Sequence, residues 1–164
     1  MTLEQDLKLI ERQEAELRFD AFDLDSAWAL GSRLVEMGKA RGLGVAIDVT
    51  LHSMPAFYAA LPGSTADNAN WIRRKRNSVL RHFRSSYGLG LAMKKNGKTL
   101  ADSGLSDVDF AVHGGSFPII VRGTGCIGAV TVSGLPQRED HRLAVEALAA
   151  VLGVENDGIN LVSE

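Results

Sequence analysis

Two apolar segments near the end of the chain, Phe117–Arg122 and Cys126–Ser133, are separated only by Gly123, Thr124 and Gly125. Parallel neighbours need a connection of about a dozen residues or more, so this short glycine-containing link favours an antiparallel hairpin. Apolar and other residues also alternate along Gly44–His52, and a second short strand is expected at Ala56–Ala59. The sheet is therefore expected to be mostly antiparallel.

Further strand signals lie outside these four segments, and the sheet is expected to have about five strands. Asn96-Gly97 favours a tight turn, so Leu89–Lys95 and Lys98–Ala101 are predicted to form a hairpin. Glu16–Phe19 is interpreted as a short strand. The sheet should be flanked by helices, because amphipathic segments lie between the strand signals.

Helix start and stop signals predict four helices. The first runs from about residue 3 to 15 behind a capping box at Thr2 and Gln5. The second runs from Asp23 or Asp25 to Gly42. The third, which is rich in basic residues, runs from Thr65 or Asp67 to Tyr87-Gly88, and the fourth from Pro136 to Gly153. The chain is thus expected to be an α+β protein, an α/β/α sandwich, with one domain over 1–153 and a tail over 154–164.

Composition narrows the function classes. The 164 residues are 45% hydrophobic with a net charge of −2, as in an ordinary globular domain. Apolar runs are too short for a membrane span, the acidic start is unlike a secretory signal, and the one cysteine cannot form an internal disulfide. A cytoplasmic location without membrane association is expected. The slightly acidic balance also makes a nucleic-acid partner an unfavoured hypothesis.

Charge is distributed unevenly along the chain. Residues 1–26 carry eight acids, whereas 68–101 contain no acid and nine of the 18 Lys and Arg residues. Arg76 falls on the apolar stripe of the basic helix, where a guanidinium must be paired. Two interpretations remain open: a solvated basic face with a structural ion pair, or an anion clamp built from Arg73, Lys75 and Arg76. Trp71 and His82 lie on one flank of that helix.

The segment His113-Gly114-Gly115-Ser116, followed by Phe117, is the second candidate site. Adjacent glycines allow close approach to the main chain, so the segment is either a ligand-lining loop or a tight entry into a core strand. We expect Arg76 and Gly114–Ser116 to form one polar site, in which loop carbonyls, a carboxylate such as Asp48 or a bound anion accepts from the guanidinium. The four histidines, including His141 on the last helix, have no metal-site spacing, so no metal site is predicted.

Three blocks resemble a branch of the haem-degrading-domain superfamily, also called GlcG/HbpS-like. They are Trp71–Asn77, His113–Ile119, and Ile127–Gln137 with Asp140-His141. The resemblance implies a profilin-like fold, assembly into large homo-oligomers and, in some members, haem binding or degradation. The first helix contains no histidine, so no axial ligand is carried over, and haem is only a candidate cofactor.

The leading hypothesis is a homo-oligomer that binds a small anionic ligand, haem-like or another organic anion, between the basic helix and the glycine loop. The alternatives are a homo-oligomeric interaction module without catalysis and a haem-degrading type of enzyme. Trp71 and the acidic first 26 residues suggest complementary subunit surfaces. The candidate ligand-binding residues are Trp71, Arg73, Lys75, Arg76, His82, His113, Gly114, Gly115, Ser116, Phe117 and His141.

Overall fold

A computed structural model describes residues 1–163 of the chain. In chain order, its elements are α1 (Leu3–Glu16), α2 (Leu24–Ala40), β1 (Ala46–Leu51), β2 (Met54–Ala60), α3 (Ala66–His82), α4 (Ser86–Lys95), a 3-10 turn (Ala101–Ser103), β3 (Ser116–Val121), β4 (Gly125–Ser133) and α5 (Gln137–Leu152).

The strands form one antiparallel sheet with the order β2-β1-β4-β3. Asp48 on β1 lies opposite Thr131 on β4, and Thr131 lies opposite Ser116 on β3. The α+β class and the antiparallel sheet are therefore confirmed, with four strands in place of about five.

The two faces of the sheet differ in polarity. Ile47, Val130 and Phe117 point into the main apolar core, which α2 and α5 cover. The alternate positions, including Asp48 and Thr131, face α3 and are buried although they are polar. Helices on both faces are thus confirmed, and the face beneath α3 is where buried polar groups need partners.

The predicted Asn96-Gly97 hairpin is wrong, because the segment before it is helix α4. Gly97 has a φ of 62° and follows the C-cap residue Asn96. The amide of Lys98 donates to the carbonyl of Met93 at 2.9 Å, which is the glycine-terminated helix end of a Schellman motif. The dipeptide tolerates left-handed backbone in both settings, so it did not distinguish a turn from a helix end.

Two other boundaries also differ from expectation. The basic helix ends at His82 rather than at Tyr87-Gly88, because Phe83 adopts a left-handed φ of 57°. The expected strand at Glu16–Phe19 is reduced to a single bridge from Phe19 to Val121.

The segment after α5 packs back onto the domain. Ile159 and Leu161 are buried, and the side-chain amide of Gln13 donates to the carbonyl of Ile159 at 2.7 Å. Arg142 on α5 donates to the carbonyl of Leu161. Residues 154–163 therefore help to cover α1 and α5.

Candidate functional site

A cavity of about 260 Å³ opens between the first turns of α3 and α5 and the loop that precedes β3. Its lining residues are Asp67, Asn68, Trp71, Lys75, His113, Gly114, Ser133, Gly134, Leu135, Gln137 and Asp140. Four of the residues predicted from sequence are therefore brought to one cavity: Trp71, Lys75, His113 and Gly114.

Lys75 forms the floor of the cavity. Its ammonium nitrogen Nζ lies 2.9 Å from the carbonyl oxygen of Gly114, 2.6 Å from that of Val132 and 3.3 Å from Oδ2 of Asp140. The Lys75 and Asp140 side chains are only 2% and 4% exposed. An ammonium group has three donors and no acceptor, and here all three donors have partners. Lys75 is therefore held as a cation that links α3, the glycine loop and α5.

Burial opposes charge on both members of this pair. It lowers the pKa of Lys75 and raises the pKa of Asp140 to about 6, while their mutual attraction counteracts both effects. A buried ion pair adds little net stability compared with apolar packing, yet breaking one is costly. Ionisable groups of this kind in a cleft are typical of functional sites.

The glycine loop contacts the start of α5 directly. The amide of Gly114 donates to Oε1 of Gln137 at 3.2 Å. A Cβ at Gly114 would lie 2.1 Å from the carbonyl oxygen of Gln137, and one at Gly115 would lie 2.3 Å from that of Val132. Gly115 also has a φ of 130°. The two glycines are required here because another residue would separate the loop from α5 and β4.

Asp140 also organises the turn that enters α5. Its carboxylate accepts the amides of Leu135 at 2.9 Å and Gly134 at 3.4 Å. The N-cap residue is Pro136, and no side chain caps the helix. The positive end of the α5 dipole therefore lies at the cavity beside Gln137.

Aromatic rings form the wall of the cavity. The Trp71 and His113 rings meet edge to face with their centroids 4.8 Å apart, and the Arg74 guanidinium lies 4.4 Å from the Trp71 ring centroid. Burial, together with the charges of Arg74 and Lys75, lowers the pKa of His113. His113 is consequently neutral at pH 7 and has one nitrogen donor and one acceptor.

Arg76 does not bind the glycine loop. Its Nη1 lies 3.1 Å from Oδ2 of Asp48, which also accepts the hydroxyl of Thr50 at 2.8 Å. Asp48 is buried, and burial raises its pKa against the effect of Thr50 and Arg76. Of the acceptors expected for Arg76, the carboxylate of Asp48 is therefore confirmed. The expected link between Arg76 and the glycine loop is wrong, because Lys75, one position earlier, reaches the loop.

The remaining basic-helix candidates face away from the cavity. Arg73 donates to a carboxylate oxygen of Asp109 and to the carbonyl of Val108, both at 2.9 Å. Nδ1 of His82 lies 2.9 Å from the carbonyl oxygen of Ser78. Arg73 therefore attaches the outer surface of α3 to the segment at 108–109, whereas the His82 contact lies within α3 itself.

Ser116, Phe117 and His141 are buried in the interior. Oγ of Ser116 lies 2.8 Å from Oγ1 of Thr131 beneath α3. Phe117 belongs to the core on the opposite face of the sheet. Nε2 of His141 lies 2.8 Å from Oε1 of Gln13, and its ring is fully buried. None of these side chains lines the cavity.

Sequence reasoning missed the α5 side of the cavity and the first turns of α3. Asn68, Trp71 and Lys75 follow the spacing i, i+3 and i+7, which places them on one stripe of α3. That spacing is the sequence feature that could have identified Asn68 as a cavity residue. Asp140 stands beside His141 in the third sequence block, but only tertiary structure brings it to Lys75.

A sequence profile described as haem degrading protein, HbpS-like, matches residues 22–149. The chain belongs to this HbpS-like family. A UPF0303 protein of Rhizobium leguminosarum bv. trifolii (strain WSM2304) is 68% identical over 161 residues, which cover 98% of each chain. A UPF0303 protein of Rhizobium meliloti (strain 1021) is 59% identical over 164 residues, which cover 99% of this chain and all of the relative.

Solved structures share the fold of this HbpS-like chain. The Ybr137w protein is 32% identical with a TM-score of 0.81, over 90% of this chain and 87% of that one. HbpS is 21% identical with a TM-score of 0.65, over 80% and 90%. A structure titled as the PduOC:heme complex is 19% identical with a TM-score of 0.67, over 79% and 94%.

Within residues 1–163, no group of three or more His, Cys, Asp or Glu side chains could hold a metal ion. No helix in that range is long and apolar enough to cross a membrane.

Proposed function

We propose that this HbpS-like protein binds a small organic anion in the cavity between α3 and α5. The uncapped start of α5 at the cavity supports this most directly. A helix N-terminus presents unpaired peptide N–H groups and a partial positive charge to an anion. The Lys75–Asp140 pair beneath it carries no net charge, so it does not oppose the partial positive charge of the helix end, and the carboxylate of Asp67 at the opening is the negative charge that does.

The cavity favours an anion that carries a flat apolar part. Trp71 and neutral His113 offer ring surfaces and ring N–H groups, and Gln137 contributes a side-chain amide at the same opening. Pockets of this kind combine apolar walls with a few polar groups that orient the ligand. An aromatic carboxylate has this combination of shape and charge.

Haem is larger than this cavity. Sites for drug-sized ligands enclose about 300–1,000 Å³, whereas this cavity is about 260 Å³. His141 is fully buried and bonded to Gln13, so it is not accessible to a macrocycle. The cavity residues therefore fit a smaller anion better than an enclosed haem.

The proposal is binding without a reaction step. All three donors of Lys75 are engaged, so its nitrogen is not placed as a nucleophile. The Ser116 hydroxyl is buried against Thr131 rather than beside a base at the cavity. The geometry thus supports recognition rather than covalent catalysis.

A titration with benzoate, measured by isothermal calorimetry, tests the proposal. Trp71→Ala and Gln137→Ala should each weaken binding about tenfold, because they remove an aromatic wall and a polar contact. Asp67→Asn should strengthen binding, because this exposed carboxylate at the cavity repels an anion.

Arg81→Ala is the matched control, since Arg81 is exposed on α3 and does not line the cavity. It should bind benzoate like the wild type. Benzamide, which has the same ring without the charge, should bind more weakly than benzoate. Equal affinity for the two compounds, or no response to Asp67→Asn, would rule out an anion site.

A further inference from the structure

A second cavity of about 570 Å³ lies between α4 and the segment that follows it, residues 98–112. We call it the α4 cavity. It is separate from the candidate site, because the two cavities share no lining residue. Its volume is within the range of about 300–1,000 Å³ that is usual for small-molecule sites, so it has room for a larger ligand than the candidate site has.

The segment that closes the α4 cavity is held in place at both ends. At its start, the amide of Lys98 donates to the carbonyl of Met93 at 2.9 Å. Toward its other end, Nε of Arg74 donates to the carbonyl of Asp107 at 2.9 Å, and the amide of Ala111 donates to the carbonyl of Arg74 at 3.1 Å. The segment is therefore attached to α4 and to α3, and the cavity beneath it exists before any ligand binds.

Aliphatic side chains form the wall of the α4 cavity. Met93 comes from α4, and Leu100, Leu105 and Val112 come from the following segment. Leu105 is buried, but the other three are only partly buried, so the wall leaves apolar surface for a ligand to cover. Among the described residues that line this cavity, none is aromatic, in contrast to the candidate site. A flexible aliphatic chain therefore fits this wall better than a flat ring does.

Two lysines give the opening of the α4 cavity a positive charge. Lys94 and Lys98 line the cavity and are exposed, and neither forms an ion pair among the described residues. Asp107 is the one acid among the described lining residues, so positive charge exceeds negative charge by one. Asp102, four positions after Lys98, instead accepts the amide of Thr99 at 2.7 Å and does not line the cavity. The opening therefore attracts an anionic head group.

We propose that the α4 cavity binds a free aliphatic carboxylate of medium chain length, such as decanoate. The chain packs against Met93 and the leucines, and the carboxylate lies at the opening beside Lys94 and Lys98. Burial of the chain supplies most of the affinity, because apolar area removed from water is the main favourable contribution. The exposed lysines add a modest preference for an anion, since ion pairs in contact with water are weak.

Calorimetric titration with decanoate, below the concentration at which it forms micelles, tests the proposal. Hexanoate, which has a shorter chain, should bind at least about tenfold more weakly, because it buries fewer methylene groups. Decyltrimethylammonium has a chain of the same length and a positive head group, and it should also bind at least about tenfold more weakly. Excess benzoate should not displace decanoate, which separates this test from that of the candidate site.

Variants at the opening test the role of charge. Lys94→Gln/Lys98→Gln should weaken decanoate binding about fivefold. Lys39→Gln/Lys95→Gln is the matched control, since it removes the same charge at exposed lysines that do not line the α4 cavity. This control should bind decanoate like the wild type. Asp107→Asn should strengthen binding, because it removes the carboxylate that repels the ligand.

Variants in the wall test where the chain lies. Met93→Asp should weaken decanoate binding at least about tenfold, because it places a carboxylate in the apolar wall. Met93→Leu should retain the wild-type affinity, and urea titrations show whether both variants are folded.

Four results would each overturn the proposal. They are no binding of decanoate to the wild type, equal affinity for decanoate and hexanoate, displacement of decanoate by benzoate, and equal affinity in Lys94→Gln/Lys98→Gln and its control. A folded Met93→Asp variant that binds decanoate as well as Met93→Leu would also contradict it.

Discussion

At the residue scale, Lys75 is a buried charge whose removal has a large energetic consequence. Its ammonium is buried with three hydrogen-bonded oxygens, one of them from the Asp140 carboxylate. Replacing Lys75 by Met would leave that carboxylate and two carbonyls without their donor. The unpaired, buried carboxylate of Asp140, rather than the lost attraction itself, accounts for most of the decrease in the free energy of unfolding.

We therefore expect Lys75→Met to reduce the free energy of unfolding by about 3–5 kcal/mol in a urea titration. Arg81→Ala, on the exposed side of α3, should change it by less than about 0.5 kcal/mol. Lys75→Met/Asp140→Asn should recover part of the loss, because it removes both charges and keeps an oxygen acceptor for the amide of Leu135. If Lys75→Met were as stable as Arg81→Ala, the ion pair would have no structural role.

Of the candidate residues His82, His113 and His141, His113 is the one that lines the cavity. It lies at the cavity, whereas His141 is fully buried and Nδ1 of His82 is bonded to the helix backbone. We expect haemin to bind weakly, with a Soret shift that is lost in His113→Ala and retained in His82→Ala and His141→Ala. A tight complex that survives His113→Ala would place the haem ligand elsewhere.

At the element scale, α4 depends on a close backbone approach. A Cβ at Gly90 would lie 2.2 Å from the carbonyl oxygen of Val112, so α4 lies directly against the segment that leads to the glycine loop. Gly90→Ala should reduce the free energy of unfolding by about 1–3 kcal/mol despite the higher helix propensity of alanine. Chemical denaturation measures the change.

Gly97→Ala provides the comparison for Gly90→Ala. A Cβ at Gly97 would have no neighbour within 4 Å, and only its φ of 62° is unfavourable for alanine. Its expected cost is about 1–2 kcal/mol, from left-handed backbone alone. Gly90→Ala should also weaken benzoate binding by shifting the glycine loop, whereas Gly97→Ala should not. Identical effects on binding would contradict this account of α4.

At the scale of the whole molecule, stability should fall in acid because His141 is buried as a neutral ring. Burial, together with the charge of Arg138, lowers its pKa to about 3, against the opposing effect of Asp6. The folded pKa lies below the unfolded value, so stability present above about pH 6.5 is lost as the pH falls. Between pH 7 and pH 5 this amounts to about 2 kcal/mol.

A pH series of urea titrations on wild type and His141→Gln isolates this contribution. The glutamine variant should lose about 2 kcal/mol less than the wild type over that interval. Asp140 acts in the opposite direction in both proteins, because its folded pKa of about 6 makes its burial less costly as the pH falls. Parallel pH profiles of the two proteins would show that His141 does not titrate on unfolding.

Local sequence patterns were enough to specify the fold class and most of the elements. Alternation along β1 and the short link between β3 and β4 required antiparallel pairing, because both are local properties of consecutive residues. The capping box at Thr2 likewise placed the start of α1. Asn96-Gly97 was misjudged because left-handed backbone serves a hairpin turn and a helix end equally well.

Only the tertiary structure decided the candidate site. The basic helix offered Lys75 and Arg76 as neighbouring cations, and periodicity placed Arg76 toward the interior. The packing of α3 on β4 and α5 instead buries Lys75, whose partners Gly114 and Asp140 lie 39 and 65 positions away in sequence. Local patterns cannot specify such partners, because the acceptors come together only when the sheet and helices pack.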